Sequence, residues 1–510
     1  MTALAHDPDI LIAPDDAHNQ RLVSHVHPRD WVNPTAKGRY HIVVIGAGTA
    51  GLVTASAAAG LGARVALIER HLMGGDCLNV GCVPSKGVIA PARVWEAART
   101  ARASFHGPAA EGDGDFGAVM ERMRKLRADI APVDGAPRYR SLGIDVFLGQ
   151  GAFTAPDAIA VDGQLLRFRR AVIATGARAA APPIPGLAGT PYLTNESVFS
   201  LTELPRRLLV IGGGPIGCEM AQSFARFGSE VTLIDRSAQL LPREDADAAA
   251  VVQQGMIKSG VKFRFSAAIN AVSHEGGAFR VTIDCNGRSE VLEGDQLLVA
   301  IGRAPNVDGM GLERAGIAFE KTGVTVDDNF RTTNAKVFAI GDVASKYQFT
   351  HAADFMARAV VQNALFFGRA KGSRLVIPWA TYTTPELAHV GHTAATAKAA
   401  GIPVNTFTVP FHDVDRARLD GQEEGFVRVH VKQGTDQLVG ATIVAEHAGD
   451  LIGEFTLCMS NGLGLGAVGK TIHPYPTQGE ALRKAADAFN RTRLTPTVKK
   501  LFAAWFRLFA

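Results

Sequence analysis

The tightest constraint on this chain is a pattern that it states twice. "RYHIVVIGAGTAGLVTASAAAGLGARVALIER", from residue 39, reads as a strand, a glycine turn, a helix and a second strand. Gly46, Gly48 and Gly51 have the G-x-G-x-x-G spacing. In such a unit one glycine makes the tight turn, one lets backbone approach a pyrophosphate, and one packs helix on strand. The helix that follows turns its free N–H groups toward the phosphates. Glu69 ends the second strand, where an acid can bind a ribose diol. "RRLLVIGGGPIGCEMAQSFARFGSEVTLIDR", from residue 206, repeats the unit with Gly212, Gly214 and Gly217, and Asp235 closes its second strand. Two such units imply two dinucleotide sites or one old duplication. They predict an α/β protein with two Rossmann-like domains.

The length agrees with several units. A chain of 510 residues exceeds what one core supports and predicts about three domains. At 47% hydrophobic and 20% charged it has a globular composition, and no apolar run is long enough to span a bilayer. The first twenty residues lack a signal-peptide pattern. Five scattered cysteines make no disulfide scaffold, which points to a reducing cytoplasm. The net charge of +4 belongs to the end of the chain, where seven Lys/Arg face two acids from Glu480 onward. No basic stripe with interleaved aromatics runs through the body, which excludes nucleic acid as an expected partner.

A pair of dinucleotide sites suits an enzyme that moves hydride between a nicotinamide and a flavin, so the expected cofactors are FAD and NADH, with NADPH possible. Asp235 would repel the 2′-phosphate of NADPH, whereas Arg236 could hold it. Three further segments read as buried strands that end in glycine turns. They are "AVIATGA" (Thr175, Gly176), "LLVAIGRAPN" (Gly302) and "TTNAKVFAIGDVA" (Gly341, Asp342).

"GGDCLNVGCVPSK", residues 74–86, carries Cys77 and Cys82. Zinc would need more Cys or His at finger or ribbon spacing, and none is present, so no metal ligand is assigned. Inert buried thiols are a second reading, although Gly74, Gly75, Gly81 and Pro84 shape a turn. The third is a redox pair: Cys82 opens a helix, where a thiol is acidified, and Lys86 adds positive charge.

In its cysteine loop, both glycine motifs, A-T-G, I-G-R-x-P-N and G-D, all in order, the chain resembles the pyridine nucleotide-disulfide oxidoreductases. That is the FAD family of lipoamide dehydrogenase, glutathione reductase and mercuric reductase. The resemblance covers about residues 40–490. It implies that Cys82 is the sulfur next to the flavin and Cys77 the interchange sulfur, with Lys86 beside the flavin and paired to Glu219. It implies that Asp342 binds the FAD ribityl chain and that a helix from Thr350 faces the flavin. Gly75, Gly151 and Ile216 join the implied cofactor contacts. The implied organisation is an N-terminal extension (1–39), an FAD domain (40–195 and 305–375) interrupted by an NAD(P) domain (196–304), a dimerisation domain (376–490) and a basic amphipathic tail (491–510). It further implies a homodimer whose active site joins one subunit's cysteines to the other's Tyr475 and Glu480.

The acceptor is less constrained. In lipoamide dehydrogenase and glutathione reductase, a His before the Pro-Thr of the C-terminal motif pairs with a Glu and moves the proton. That place holds Tyr475 here, with Glu480 kept and His473 two residues upstream. Mercuric reductases also carry a Tyr there. Their terminal cysteine pair and N-terminal CxxC are missing, since no cysteine follows Cys458 and the extension offers only scattered histidines. The expected function is a mercuric-reductase-like NAD(P)H oxidoreductase with a disulfide or metal ion as acceptor. The alternatives are a lipoamide dehydrogenase-like enzyme and a quinone-reducing diaphorase. The tail, with Leu501, Phe502, Trp505, Phe506, Leu508 and Phe509 beside Lys499, Lys500 and Arg507, is expected to lie on a membrane surface or strap the dimer partner.

Overall fold

A computed structural model describes residues 12–108, 114–285 and 287–509. Strands Arg39–Ile45 and Val65–Glu69 pair in parallel, Ile42 opposite Val65 through Ile45 opposite Ile68, with helix Thr49–Gly60 between them. The second unit has the same plan. Arg207–Ile211 and Glu230–Ile234 are parallel, and helix Pro215–Phe227 connects them. Both strand pairs are nearly continuous apolar runs, as expected for parallel strands covered on both faces.

Around the first unit grows a seven-stranded sheet, and around the second a four-stranded one. The first sheet is finished by a strand far along the chain. Val337–Ala339 pairs in parallel with the end of Gln164–Ile173, placing Gly341 and Asp342 beside the first glycine turn. Helix Thr350–Leu365 follows and shares a core with helix Thr49–Gly60. A short antiparallel pair, Ala177–Ala179 with Arg303–Pro305, connects the two units. Beyond them lies a five-stranded antiparallel sheet built from residues 378–445, with helices Ala448–Ser460 and Glu480–Thr492 packed on it. The fold is thus α/β, as the glycine motifs require.

The polar N-terminal extension does not hang free. Its helix Ala17–Val26 buries Leu22 and Val26, and Trp31 joins them in the core of the first unit. Asn19 accepts a hydrogen bond from Arg127 at 2.6 Å, and Arg127 also donates to the Asn79 carbonyl at 2.6 Å. The Val26 carbonyl accepts from Met73 N–H at 3.1 Å. The extension therefore braces the loop that carries the cysteines. Among the described residues no group of three or more metal-ligating side chains occurs, and His6 lies outside them.

Candidate active site

One cleft of about 2810 Å³ runs from the first glycine turn past both loop cysteines to the second glycine turn. The two turns are built alike. Gly46 (φ +99°) and Gly212 (φ +112°) adopt backbone that favours glycine, and a Cβ on either would meet a carbonyl oxygen at 2.4 or 2.5 Å. A Cβ on Gly51 would lie 1.8 Å from the Gly46 oxygen, and one on Gly217 would lie 1.9 Å from the Gly212 oxygen. Gly48 and Gly214 cap the two helices. The acids match as well. Glu69 accepts from Ala47 N–H at 2.6 Å and His71 N–H at 2.8 Å, and Asp235 accepts from Gly213 and Ser237 N–H, both at 2.6 Å. Each carboxylate oxygen keeps a lone pair for a ribose hydroxyl.

The cysteine loop rests on the first turn. Gly74 and Gly75 have φ of +88° and +57°, and a Cβ on Gly75 would fall 2.7 Å from the Gly48 Cα. Cys77 sits in the short helix Gly75–Asn79, and Cys82 begins helix Cys82–Phe105. Thr350, first residue of its own helix, has its hydroxyl 3.4 Å from the Cys82 sulfur. Two helix N-termini thus converge on one sulfur and favour its thiolate.

The Cys82 thiol is brought down to about 6. The hydrogen bond from Cys77 is the largest cause, helped by Thr350 and the Lys86 charge against the effect of burial. Cys77 moves the other way, because its proton is held toward Cys82 and burial disfavours its anion. Lys86 pairs with Glu219 at 2.9 Å and lies over the Tyr382 ring, and Glu219 also accepts from Tyr382 N–H at 3.0 Å. Replacing Lys86 by Met is expected to shift the pH midpoint of Cys82 alkylation upward, because it removes a cation that favours the thiolate. Iodoacetamide kinetics on reduced protein against pH measure the shift.

Gly151, Thr175, Gly176, Gly302, Gly341, Asp342, Ile216 and Arg236 also line the cleft, while Gly51 and Gly217 lie beneath it. Several lining groups had no separate signal in the sequence. Arg303 pairs with Asp76 and stands 3.4 Å from Asp342. Burial pushes the Asp342 carboxyl up, and Arg303 opposes that. The Thr175 hydroxyl donates to the Asn306 carbonyl at 2.8 Å, which joins two glycine turns. Arg303 and Asn306 belong to the I-G-R-x-P-N motif, so their residue types were visible although their partners were not. Glu244, pushed up to about 7 by burial, accepts from the Trp379 indole at 2.6 Å on the cleft wall.

Tyr475, His473 and Glu480 do not line this cleft. Tyr475 is 72% exposed, and its hydroxyl donates to Asp415 at 3.0 Å, which raises its pKa. Glu480 pairs with Arg483 and Lys484 on its own helix. His473 faces acceptors at both ring nitrogens, Glu454 at 3.0 Å and the Thr471 carbonyl at 3.1 Å. Of the remaining cysteines, Cys218 and Cys458 are buried and burial pushes both thiols up.

A sequence profile of the pyridine nucleotide-disulphide oxidoreductases matches residues 40–357, and the dimerisation domain of that family matches 377–486. The chain belongs to this family. It is 32% identical to a mercuric reductase of Bacillus cereus over 504 residues, covering 96% of this chain and 79% of that protein. It is 33% identical to a dihydrolipoyl dehydrogenase of Chlamydia muridarum over 455 residues, covering 88% and 96%. Among solved structures, the Cu(II) complex of a mutant of the HOCl-induced flavoprotein disulfide reductase RclA from Escherichia coli superposes with a TM-score of 0.79 at 29% identity, covering 88% of this chain and 99% of that one.

As a pyridine nucleotide-disulphide oxidoreductase the protein is a flavin-dependent enzyme that uses FAD and NAD(P)H, and its dimerisation domain supports a homodimer. The cleft fits FAD. Gly46, Gly48 and Gly75 leave bare backbone where any Cβ at Gly46 or Gly75 would collide, which is the surface a pyrophosphate needs. Glu69 would hold the adenosine ribose, and Asp342 with Arg303 the chain between phosphate and ring. No helix among the described residues is long and apolar enough to cross a membrane.

At the second turn, Asp235 is expected to give a preference for NADH of at least about fivefold in kcat/KM, since its carboxylate opposes a 2′-phosphate by ~1 kcal/mol or more. Steady-state kinetics with both nucleotides check this. A preference for NADPH would assign the specificity to Arg236.

Proposed function

We propose that this enzyme uses NADH to reduce a soft metal ion presented as its complex with small thiols, with Cys77 as the sulfur that meets the acceptor. The observation that carries this reading is the state of the C-terminal motif. Tyr475 occupies the place of the proton-moving group, and its hydroxyl donates to Asp415, which raises its pKa, so it offers no ready base; His473 is held by Glu454 and the Thr471 carbonyl of its own subunit. Reducing an ordinary disulfide requires a group that moves a thiol proton near neutral pH, typically worth ~10²–10⁴ in rate. When a metal passes from a small thiolate pair to Cys77 and Cys82, the departing thiolate can carry away the Cys77 proton, so the exchange needs no separate protein base.

When bound, FAD supplies hydride acceptance from the nicotinamide and transfer of two electrons onward. The chain's own residues do the rest. Gly212, Gly214 and Asp235 would seat the nicotinamide dinucleotide, with Ile216 and Gly302 along its path. Glu219 fixes the Lys86 ammonium beside Cys82. Thr350 and the two helix N-termini hold Cys82 as thiolate while Cys77 keeps its proton. Tyr475 and Glu480 would act from the second subunit of the homodimer, where the Tyr hydroxyl would donate to a metal-bound thiolate only by leaving Asp415.

Purified holoenzyme with NADH should reduce a Hg(II)–dithiol complex at least ~10²-fold faster than lipoamide or glutathione disulfide. Tyr475→His should raise lipoamide reduction, since His brings a base to a place beside Glu480. Wild-type reduction of lipoamide as fast as of the metal complex would overturn the reading, and quinone as the best acceptor would replace it with the diaphorase alternative.

A further inference from the structure

The last helix, Pro496–Leu508, has no buried residue. Leu501, Phe502, Trp505, Phe506, Leu508 and Phe509 are each between 50% and 79% exposed. At ~100° per residue they fall within an arc of about 160°, together with Val498. Lys500 and Arg507 lie on the opposite face with Ala503 and Ala504, and Lys499 sits at the edge of the arc beside Phe506. The Trp505 and Phe509 rings touch, with centroids 4.5 Å apart. Thr495 caps the helix by accepting from Val498 N–H, and Pro496 starts it, so the helix is locally encoded rather than imposed by packing.

The charge around this helix is of one sign. After Asp487 the sequence has five cations, Arg491, Arg493, Lys499, Lys500 and Arg507, and no acidic side chain. None of the five makes an ion pair among the described residues. The family's dimerisation domain ends at residue 486, before the first of them. The five cations and the apolar arc share one short segment, so the surface that receives it must be anionic and apolar together.

We infer that the helix Pro496–Leu508 docks in the plane of an anionic phospholipid surface, seating its Trp–Phe–Leu arc among the acyl chains and its cations among the headgroups. A wide aromatic arc, a basic polar face and a length far below a membrane span are the features of an interfacial helix. Headgroup charge complements five unpaired cations at once, and aromatic rings suit the boundary between headgroup and acyl chain. The enzyme body would then be held at the bilayer by its C-terminus, with the redox cleft on a separate part of the molecule.

Flotation of the FAD-loaded full chain with vesicles tests this. Vesicles of phosphatidylcholine containing about one-third phosphatidylglycerol should bind the protein at least ~10-fold more tightly than pure phosphatidylcholine, and binding should weaken as salt rises. The double variant K499E/K500E, and separately the triple variant F502A/W505A/F506A, should each lower binding to the anionic vesicles by ~10-fold or more. These side chains are exposed, and NADH-dependent acceptor turnover in solution reports that the variants fold. Equal binding to both vesicle types would overturn the inference, as would binding that survives removal of residues 495–510. So would the absence of binding by the wild type together with dissociation of the triple variant's dimer in sedimentation, which would assign the helix to the second copy of the chain.

Discussion

Cys82→Ser is expected to remove the more acidic of the two loop thiols and to lower NADH-dependent acceptor turnover by ~10³-fold or more. In the reduced wild-type protein, alkylation by iodoacetamide should follow a midpoint at about pH 6, because Cys77, Thr350 and Lys86 all favour the Cys82 anion. In Cys82→Ser the remaining loop thiol should react only above the ordinary thiol range, since burial disfavours the Cys77 anion. Cys77→Ala is the informative partner. It removes the hydrogen bond that contributes most to the low value, so the Cys82 midpoint should rise while a single reactive thiol remains. Cys77→Ser retains a donor and should raise it less. Both alanine and serine variants at position 77 should lose turnover, because neither can close the disulfide. A pH 6 midpoint that persists in Cys82→Ser would exchange the roles of the two sulfurs.

The second large effect separates the two nucleotide sites. Gly51→Val places side-chain carbon where the Gly46 carbonyl stands 1.8 Å from a bare Cβ, and Gly217→Val does the same against the Gly212 carbonyl at 1.9 Å. The obstruction is backbone, which cannot swing aside as a flexible side chain would, so each turn must open by more than an ångström. Overpacking of this kind costs about 1–3 kcal/mol or more. Gly51→Val should purify with less than about a tenth of its flavin. Gly217→Val should keep its flavin and lose at least ~10² in kcat/KM for NADH. Visible absorbance of the purified proteins gives the first result, and stopped-flow mixing with NADH the second. If Gly217→Val also loses flavin, the two turns do not serve separate nucleotides.

What the sequence disclosed was mostly what backbone geometry demands locally. The glycines of both turns are readable because no other residue survives at φ near +100° or at a helix–strand contact under 3 Å. The same local grammar makes Glu69 and Asp235 visible at the ends of their strands. What stayed hidden was contact between distant segments. Arg303 meeting Asp76 and Asp342, Thr350 meeting Cys82, and Trp379 meeting Glu244 each join stretches more than a hundred residues apart, or carried by different sheets. The N-terminal extension was opaque for another reason. Among its described residues Leu22, Val26 and Trp31 are buried in the core and Ile12 packs against it, too few apolar residues in a polar stretch to announce a packed helix. Its purpose shows in Asn19, whose bond to Arg127 reaches the carbonyl end of the Cys77 helix.

The strand Val337–Ala339 that completes the first sheet has a consequence for how the chain is made. Until it leaves the ribosome, strand Gln164–Ile173 has an open edge, and helix Thr49–Gly60 lacks the neighbour it shares a core with. The second unit, residues 207–299, meanwhile holds all four strands of its parallel sheet within one continuous stretch and can close during synthesis. At ~5–20 residues per second, the roughly 190 residues from Ile173 to Leu365 take about 10–40 s to appear. For that interval the nascent chain carries an unpaired strand edge and a bare apolar helix, the kind of surface that makes folding intermediates prone to aggregate. Thr350 is among the last parts to arrive, so the last of the contacts that favour the Cys82 thiolate is made only after the nucleotide-binding unit downstream has been synthesised.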